Sequence, residues 1–565
     1  MITNSTSTPD RPIRFVIVGG VAAGASAAAR ARRLAESAEI ILIERGPDVS
    51  FANCGLPYFI GGEIPDRAAL AVQTPQTLKA LLNIDVRVRT EATRIDLKTK
   101  TLEATHLATG KAEIIPYDHL LLATGASPIR PNLPGIDDPR ILTLRSLEDM
   151  DRVKLKASTA SHVTVIGAGF IGLEMAEQLK RIGKEVTLVE MCDQVLPPLD
   201  RPMTLLMEDE LRRNGIDLAL ADPIAAFEAD LSGKLGCLLR SGRRISTDLV
   251  ILGIGVRPDT GLATRAGLDV SPRGHIRVNA FMQTSAPSVY AAGDAVETED
   301  LITGTPVVVP LGGPANRQGR VVADHIFLGS RARPYPGSLG TAIVRVFEVA
   351  AGLTGWTEKR LNAAGLPYHT VTVGDQHHAG YFPGAKPLTL KLLWNPENRR
   401  ILGGQVTGFE DVDKRLDVLA TAIAGGLTID DLCHLELAYA PPFGAAKDIV
   451  NLAGFTATNA DDGLVTMTDT LPEDKSTQIL DLRPPVLVKG YPIPDRTVIN
   501  IPLAMLRGRL NEIDRNRPVV TVCALGKTAY FGARILQQNG YDVTTYSGGI
   551  RAHFDPRTPF KPPAP

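Results

Sequence analysis

Cysteine is scarce in this chain: 565 residues carry five, Cys54, Cys192, Cys237, Cys433 and Cys523. They are widely scattered, so neither a paired metal-ligand motif nor the disulfide framework of a secreted domain can be built from them. A reducing, cytoplasmic compartment is the expectation. No stretch is a long uninterrupted apolar run, and residues 1–12 are polar without the apolar core of a signal peptide, which argues against a membrane span and against export. An excess of one charge is missing too. With 61 basic and 62 acidic side chains the formal net charge is -1, which leaves no footprint of a nucleic-acid binder. What the chain does have is length, and at ~150 residues per domain it divides into three or four folded units.

Two β-turn-α units share one grammar. The first is a strand over residues 13–18, the turn Gly19-Gly20-Val21-Ala22-Ala23-Gly24, an Ala/Arg-rich helix to Leu34, and a strand over 40–43 ending at Glu44. The second is a strand over 163–166, the turn Gly167-Ala168-Gly169-Phe170-Ile171-Gly172, a helix to Arg181, and a strand over 186–189 ending at Glu190. Glycines permit the tight turn and let the backbone approach a pyrophosphate at the positive helix end, while the acid accepts hydrogen bonds from a ribose hydroxyl. Val21 replaces the middle glycine of the first copy, whereas the second is complete, its acid 18 residues beyond Gly172. Two units imply two dinucleotides.

Cys54, in the run Ser50-Phe51-Ala52-Asn53-Cys54-Gly55-Leu56-Pro57, lies ten residues beyond Glu44, close in sequence to the first dinucleotide. No second cysteine follows within a hundred residues, so a local redox disulfide is excluded. A cofactor that reduces this sulfur must act on a mixed disulfide with a small thiol or on a sulfenic acid.

Further strands end at Thr124-Gly125 and at Gly293-Asp294. From about Tyr335 longer alternating strands, such as 388–393, and apolar helices, such as 412–423, announce a further domain. Residues 456–475, Thr/Asp/Asn-rich with few large apolar side chains, predict a flexible linker with a reach of roughly 25 Å. Beyond it a small α/β pattern restarts, with strands over 479–483, 498–503, 519–522 and 543–546 and a helix ending at Gln538. Cys523 stands at a strand-to-helix turn, where backbone N–H groups and the helix end are expected to lower its pKa and hold a persulfide. Cys192, Cys237 and Cys433 fit no redox motif and read as packing residues. His377-His378 lacks the further ligands a metal site needs, and no metal is expected.

On these motifs the chain resembles the pyridine nucleotide-disulfide oxidoreductases over residues 13 to about 455, and a rhodanese domain over about 475–560. The run from Ser50 to Tyr58 and the first glycine turn resemble the single-cysteine branch, the coenzyme A-disulfide reductases with the related NADH oxidases and peroxidases as neighbours, and the fusion to a rhodanese domain is similar to the coenzyme A-disulfide reductase-rhodanese proteins, whose members include NADH-dependent persulfide reductases. The resemblance implies an α/β chain with an FAD-binding domain over 12–139 and 272–334, an NAD(P)H-binding domain over 140–271, an α+β dimerisation domain over 335–455, and the rhodanese-like domain over 476–562.

It also assigns residues. Gly19, Gly24, Glu44, Thr124, Gly125, Gly293 and Asp294 match FAD positions; Gly167, Gly169, Gly172 and Glu190 match NAD(P)H positions. A carboxylate at Glu190 repels a 2′-phosphate, so NADH is expected over NADPH. Tyr381 and Tyr439 match two segments that reach the thiol site from the partner subunit of a homodimer, where a phenol can donate a proton to a leaving thiolate. Arg30, Arg33, Ser50 and Asn53 match positions that contact coenzyme A, bound as ligand or substrate. Cys54 and Cys523 are the two sulfur nucleophiles. The rhodanese end departs from its family: Thr528 stands where the CxxGxR loop has arginine, and Gly490-Tyr491 replaces the usual Gly-His. The expected activity is NADH-driven reduction of coenzyme A persulfide, polysulfide or coenzyme A disulfide, with Cys523 relaying sulfane sulfur. An oxidase or peroxidase cycling Cys54 through sulfenic acid, and a redox-responsive binding protein, stay open.

Overall fold

The strand run Phe15-Val16-Ile17-Val18 is apolar at every position, the pattern of a parallel strand covered on both faces rather than one with a wet side. A computed structural model, which describes residues 11–229, 233–474 and 476–559, realises it. The chain divides into two units, Met1–Gly167 with Gln178–Thr187 and Ile224–Ser338, and Ala168–Glu177 with Leu188–Pro223 and Leu339–Pro565. Among the described residues no helix is long and apolar enough to cross a membrane.

In chain order the elements that build the nucleotide-type folds are β1 (Arg14–Val18), α1 (Ala22–Leu34), β2 (Glu39–Ile43), β3 (Asp85–Arg87), β4 (His119–Leu122), β5 (His162–Ile166), α2 (Phe170–Arg181), β6 (Glu185–Val189), β7 (Leu249–Leu252), β8 (Val289–Ala291) and α3 (Gly312–Leu328). The first sheet is wholly parallel in the order β8-β4-β1-β2-β3. Phe15 and Ile17 of β1 face Ala27, Ala28 and Ala31 of α1 and Val322 and Ala323 of α3. Val16 and Val18 face the other way, onto Ile95, Leu102 and Ala104 of a three-stranded antiparallel sheet. Each such aliphatic side chain contributes ~1.5–3 kcal/mol when fully buried. The alanines of α1 serve close helix packing: a Cβ placed on Gly319 of α3 would sit 2.1 Å from the carbonyl oxygen of Ala23. In the second nucleotide-type fold β5 runs parallel to β7.

The other unit holds a five-stranded antiparallel sheet of β9 (Ala342–Val346), β10 (Val349–Gly355), β11 (His369–Gln376), β12 (Pro387–Trp394) and β13 (Ile401–Gly408), in the order β9-β10-β13-β12-β11. Helix α4 (Val412–Ala424) drives Leu416 and Leu419 against Gly352 and Gly404 of that sheet. The segment 456–475, expected to be a linker, holds regular structure over 456–461 and 466–468, and its last residue lies outside the described residues. Helix α5 (Ile449–Asp461) continues through the first six residues of the segment, and β14 (Thr466–Thr468) pairs with β18 (Val543–Tyr546) at the edge of the C-terminal sheet. The small and polar composition has a packing cause. Ala457 is buried, and Thr456 and Thr458 turn their hydroxyls back onto the Leu452 carbonyl at 2.7 Å and the Phe455 carbonyl at 3.1 Å.

The C-terminal sheet is wholly parallel. With β15 (Gln478–Asp481), β16 (Ile499–Asn500) and β17 (Val519–Val522), its order is β14-β18-β17-β15-β16. The strand expected over 498–503 is only two residues long, because Pro502 precedes a short helix, Leu503–Leu506. Helix α6 (Lys527–Gln538) follows β17 after the Cys523 turn.

Candidate active site

Gly19 and Gly167 occupy the same place in the two turns, each at φ 100° and each where a Cβ would collide with backbone, that of Ala123 and of Gly253. The acids repeat the symmetry. Glu44 accepts the Gly20 N–H at 2.9 Å and the Gly46 N–H at 2.8 Å; Glu190 accepts the Ala168 N–H at 2.7 Å and the Cys192 N–H at 2.9 Å. One oxygen of each carboxylate thus braces its glycine turn, and a carboxylate oxygen has a second lone pair for a ribose hydroxyl. Gly24 packs on the Gly19 carbonyl, where a Cβ would lie at 1.8 Å, while Gly169 faces open space and Gly172 is buried in α2. Helix α1 begins at Ala22, its N-cap Val21 makes no side-chain cap and its first turn holds no acid, a positive end suited to the pyrophosphate of FAD.

The C-terminal ends of β1, β4 and β8 border this turn. Gly125 and Gly293 both have positive φ, 68° and 83°, after β4 and β8. Asp294 is half-buried; burial raises its carboxyl pKa, with Arg145 pulling the other way. Residues that carried no sequence signal complete the wall. Gln318 of α3 accepts the Gly293 N–H at 2.8 Å, and the Thr124 hydroxyl donates to the Asp259 carbonyl at 2.6 Å. Arg145 is paired with the Asp259 carboxylate at 2.8 Å.

The thiol loop is fastened to the same turn. Ser50, at φ 48°, donates its N–H to the Gly20 carbonyl at 2.8 Å, and Val49 and Leu42 fill the space a Cβ on Gly20 would need. Asn53 and Cys54 follow in a short 3-10 turn, both exposed. Arg33 is exposed on α1, whereas Arg30 is drawn into an ion pair with Asp324 of α3 at 2.6 Å.

Tyr381 and Tyr439 come together in the second unit, their hydroxyls 3.1 Å apart and both rings exposed. Their two segments are held by buried chemistry. Arg415 donates to the His377 carbonyl at 2.6 Å and pairs with Asp448 at 2.7 Å, and Ala379 donates to the Gly444 carbonyl at 2.8 Å. The hydrogen bond to Tyr439 raises the pKa of Tyr381, which keeps its proton through the neutral range.

Cys523 is 2% exposed at the end of β17. Its Sγ accepts the N–H groups of Gly526 and Ala529, both at 3.2 Å. The expected pKa depression is not found. Burial raises the thiol, against the lowering by the N–H groups of Ala529, Leu525, Gly526 and Thr528, and the desolvation is the larger effect. The remaining cysteines are packing residues: burial pushes Cys237 up to about 12, Cys192 is raised by burial and the Glu190 charge, and Cys433 donates to the Ile429 carbonyl.

Residues 13–313 match the pyridine nucleotide-disulphide oxidoreductase model, 341–448 the dimerisation domain of the same group, and 466–553 the rhodanese-like domain. The coenzyme A disulfide reductase of Staphylococcus aureus is 34% identical over 446 residues, 79% of this chain and 99% of that one. Two solved structures share all three parts. Reduced CoADR-RHD of Bacillus anthracis is 43% identical with a TM-score of 0.93, over 97% of this chain and 100% of that one. A NAD-dependent persulfide reductase from A. fulgidus is 39% identical with a TM-score of 0.91, over 96% and 100%.

Proposed function

From a chain that belongs to the pyridine nucleotide-disulphide oxidoreductases, we propose an NADH-driven reductase of coenzyme A persulfides and coenzyme A disulfide, a homodimer whose rhodanese-like domain carries sulfane sulfur on Cys523. The observation that carries this reading is the fastening of the exposed Cys54 loop to the first dinucleotide turn through Ser50 and Gly20. Gly19, Gly24, Glu44, Thr124, Gly125, Gly293 and Asp294 would hold FAD, and Gly167, Gly169, Gly172 and Glu190 would hold NADH. FAD supplies two-electron transfer between nicotinamide and a sulfur–sulfur bond.

The rest is the work of the chain's own groups. The Cys54 thiolate attacks the inner sulfur of coenzyme A persulfide, forming a Cys54–coenzyme A mixed disulfide and releasing hydrosulfide. With coenzyme A disulfide the leaving group is a coenzyme A thiolate. Two electrons then cleave the mixed disulfide to the Cys54 thiolate and coenzyme A thiolate, and Tyr381 and Tyr439 of the partner subunit offer the latter a proton. Arg33, Ser50 and Asn53 contact the coenzyme A portion, joined by Arg30 if its pairing with Asp324 opens. The test is turnover with excess NADH and coenzyme A persulfide, run beside peroxide and oxygen. Sustained hydrosulfide release supports the reading; NADH consumption with oxygen or peroxide alone, or a single titration without turnover, defeats it.

A further inference from the structure

Cys523 is 2% exposed, and two segments of its own domain, 523–526 and 546–549, meet around it. They pack backbone on backbone: a Cβ on Gly549 would lie 2.4 Å from the Cys523 carbonyl oxygen, and one on Gly526 would lie 3.1 Å from the Gly548 nitrogen. Both segments also press on strand β11, an edge of the antiparallel sheet whose outer N–H and C=O groups need partners. The Thr372 N–H donates to the Ser547 hydroxyl at 2.8 Å, and that hydroxyl donates to the Thr372 carbonyl at 3.3 Å. Gly548 packs on Thr372, and Gly374 leaves room on the strand for Leu525, whose methyl stands 2.8 Å from where a Cβ would be. The rim of the thiol is therefore also the face by which the C-terminal domain is docked.

Two further features fit a docking that opens. Past the short helix Gly549–His553 the chain stays tied to its domain, because Arg551 donates to the Thr558 carbonyl at 2.7 Å. From there Arg557 reaches out of the domain to Asp209 and Glu210 of the helix Leu205–Arg213. The Arg557 and Asp209 side chains are 27% and 30% exposed, so water competes for this latch. At its other end the domain begins beyond Gly463, which lies between α5 and β14 at φ 73° with open space where a Cβ would be. Leu464, the next residue, already belongs to the domain, its carbonyl accepting from Arg534 of α6. A glycine so placed can change φ and ψ without a clash. We infer that the docking is a gate on Cys523: the C-terminal domain turns off β11 about Gly463, Arg557 releases Asp209 and Glu210, and the undocked domain is the form that admits reagents to the thiol. Its use in sulfur transfer rests on the reading of Cys523 as a carrier.

The need for opening is chemical. To load Cys523 from an organic persulfide, RSSH, the thiolate attacks the terminal sulfur in line with the sulfur–sulfur bond. That bond breaks, its electron pair leaves with RS⁻, and Cys523 keeps the sulfur with its proton. The attack takes a clear path to the thiol, which the docked rim closes on the β11 side. Behind such a gate the observed rate is the intrinsic rate multiplied by the undocked fraction. A change that loosens the dock away from the thiol then speeds every reaction of Cys523 by one factor.

The experiment uses the full-length, FAD-loaded protein at a single pH. It follows iodoacetamide alkylation of each cysteine by peptide mass spectrometry, persulfide loading of Cys523 from glutathione persulfide, and hydrogen exchange at the Thr372 amide. Arg557→Gln removes the latch without touching the rim, and is expected to raise alkylation and loading of Cys523 together by about three- to tenfold, to speed Thr372 exchange, and to leave Cys433 unchanged. Gly374→Val, which displaces Leu525, should act the same way. A Cys523 alkylation rate within about 1.5-fold of wild type in Arg557→Gln overturns the inference. So does a rise that Cys433 shares, because the whole unit would then be loosening. Should Gly374→Val not fold, Arg557→Gln decides alone. Faster alkylation with no persulfide on Cys523 in any form supports the gate and defeats the carrier reading.

Discussion

The backbone N–H of Ser50 is bonded to the carbonyl of Gly20 at 2.8 Å, so the loop that presents Cys54 is tied directly to the first glycine turn. That coupling separates two roles cleanly. In Cys54→Ser we expect FAD to stay bound and NADH to reduce it, because neither the turn nor Glu44 is touched. Turnover with coenzyme A disulfide and coenzyme A persulfide should fall below about 0.1% of wild type, since serine cannot form the mixed disulfide. Stopped-flow flavin reduction beside steady-state rates makes the check, and near-normal steady-state rates would remove Cys54 from the mechanism.

On the proposed function the tyrosine pair, its hydroxyls 3.1 Å apart, should behave as one acid. Removing either hydroxyl by Tyr381→Phe or Tyr439→Phe strips the other of its partner, so each single variant is expected to lose about ten- to a hundredfold in kcat and the double variant little more than the worse single one. Because the pKa of Tyr381 is raised above the ordinary phenol value, its proton is present throughout the neutral range and is lost only at more alkaline pH. The tyrosine-dependent part of the rate should therefore hold flat up to about pH 10. Additive losses in the double variant would show two independent residues.

What was legible in the sequence is what local chain geometry dictates. A glycine at φ 100°, an acid at the end of a strand and an apolar run through a parallel sheet each leave a signature within a few dozen residues. Gln318 and Arg145 leave none, because their partners Gly293 and Asp259 are distant in the chain and strands and helices of any protein carry polar residues of those types. The 456–475 segment misleads for a physical reason: its first residues are the last turns of α5, where Ala457 is buried and the Thr456 and Thr458 hydroxyls turn back onto carbonyls of the helix. The pKa of Cys523 misleads likewise. Its helix-end N–H donors are visible in the sequence, but the depth of its burial is a property of the assembled sheet.

Glu190 braces the second glycine turn, and on the proposed function it also selects the cofactor. Buried to 7% exposure and bonded to the Ala168 N–H, it offers a fixed negative charge where a 2′-phosphate would arrive. NADH should exceed NADPH in kcat/KM by at least about tenfold, which corresponds to ~1.4 kcal/mol. Glu190→Gln keeps an acceptor for the turn and removes the charge, so it should narrow that preference about three- to tenfold. Equal kcat/KM for the two cofactors in the wild type would contradict the assignment.

Cys523 should be a slow nucleophile at neutral pH. Its folded pKa lies above the ordinary thiol value because burial outweighs the helix-end donors, so the reactive thiolate is the minor form until the pH passes that raised value. Where the thiolate is minor its fraction grows about tenfold per pH unit, and the rate of alkylation by iodoacetamide should follow, still climbing at about pH 9. Peptide mass spectrometry distinguishes Cys523 from the exposed Cys54, which provides an internal comparison in the same sample. A Cys523 rate that is already flat at pH 7 would mean that the N–H groups of Gly526 and Ala529 overcome desolvation, and that the loop holds a thiolate before any donor arrives.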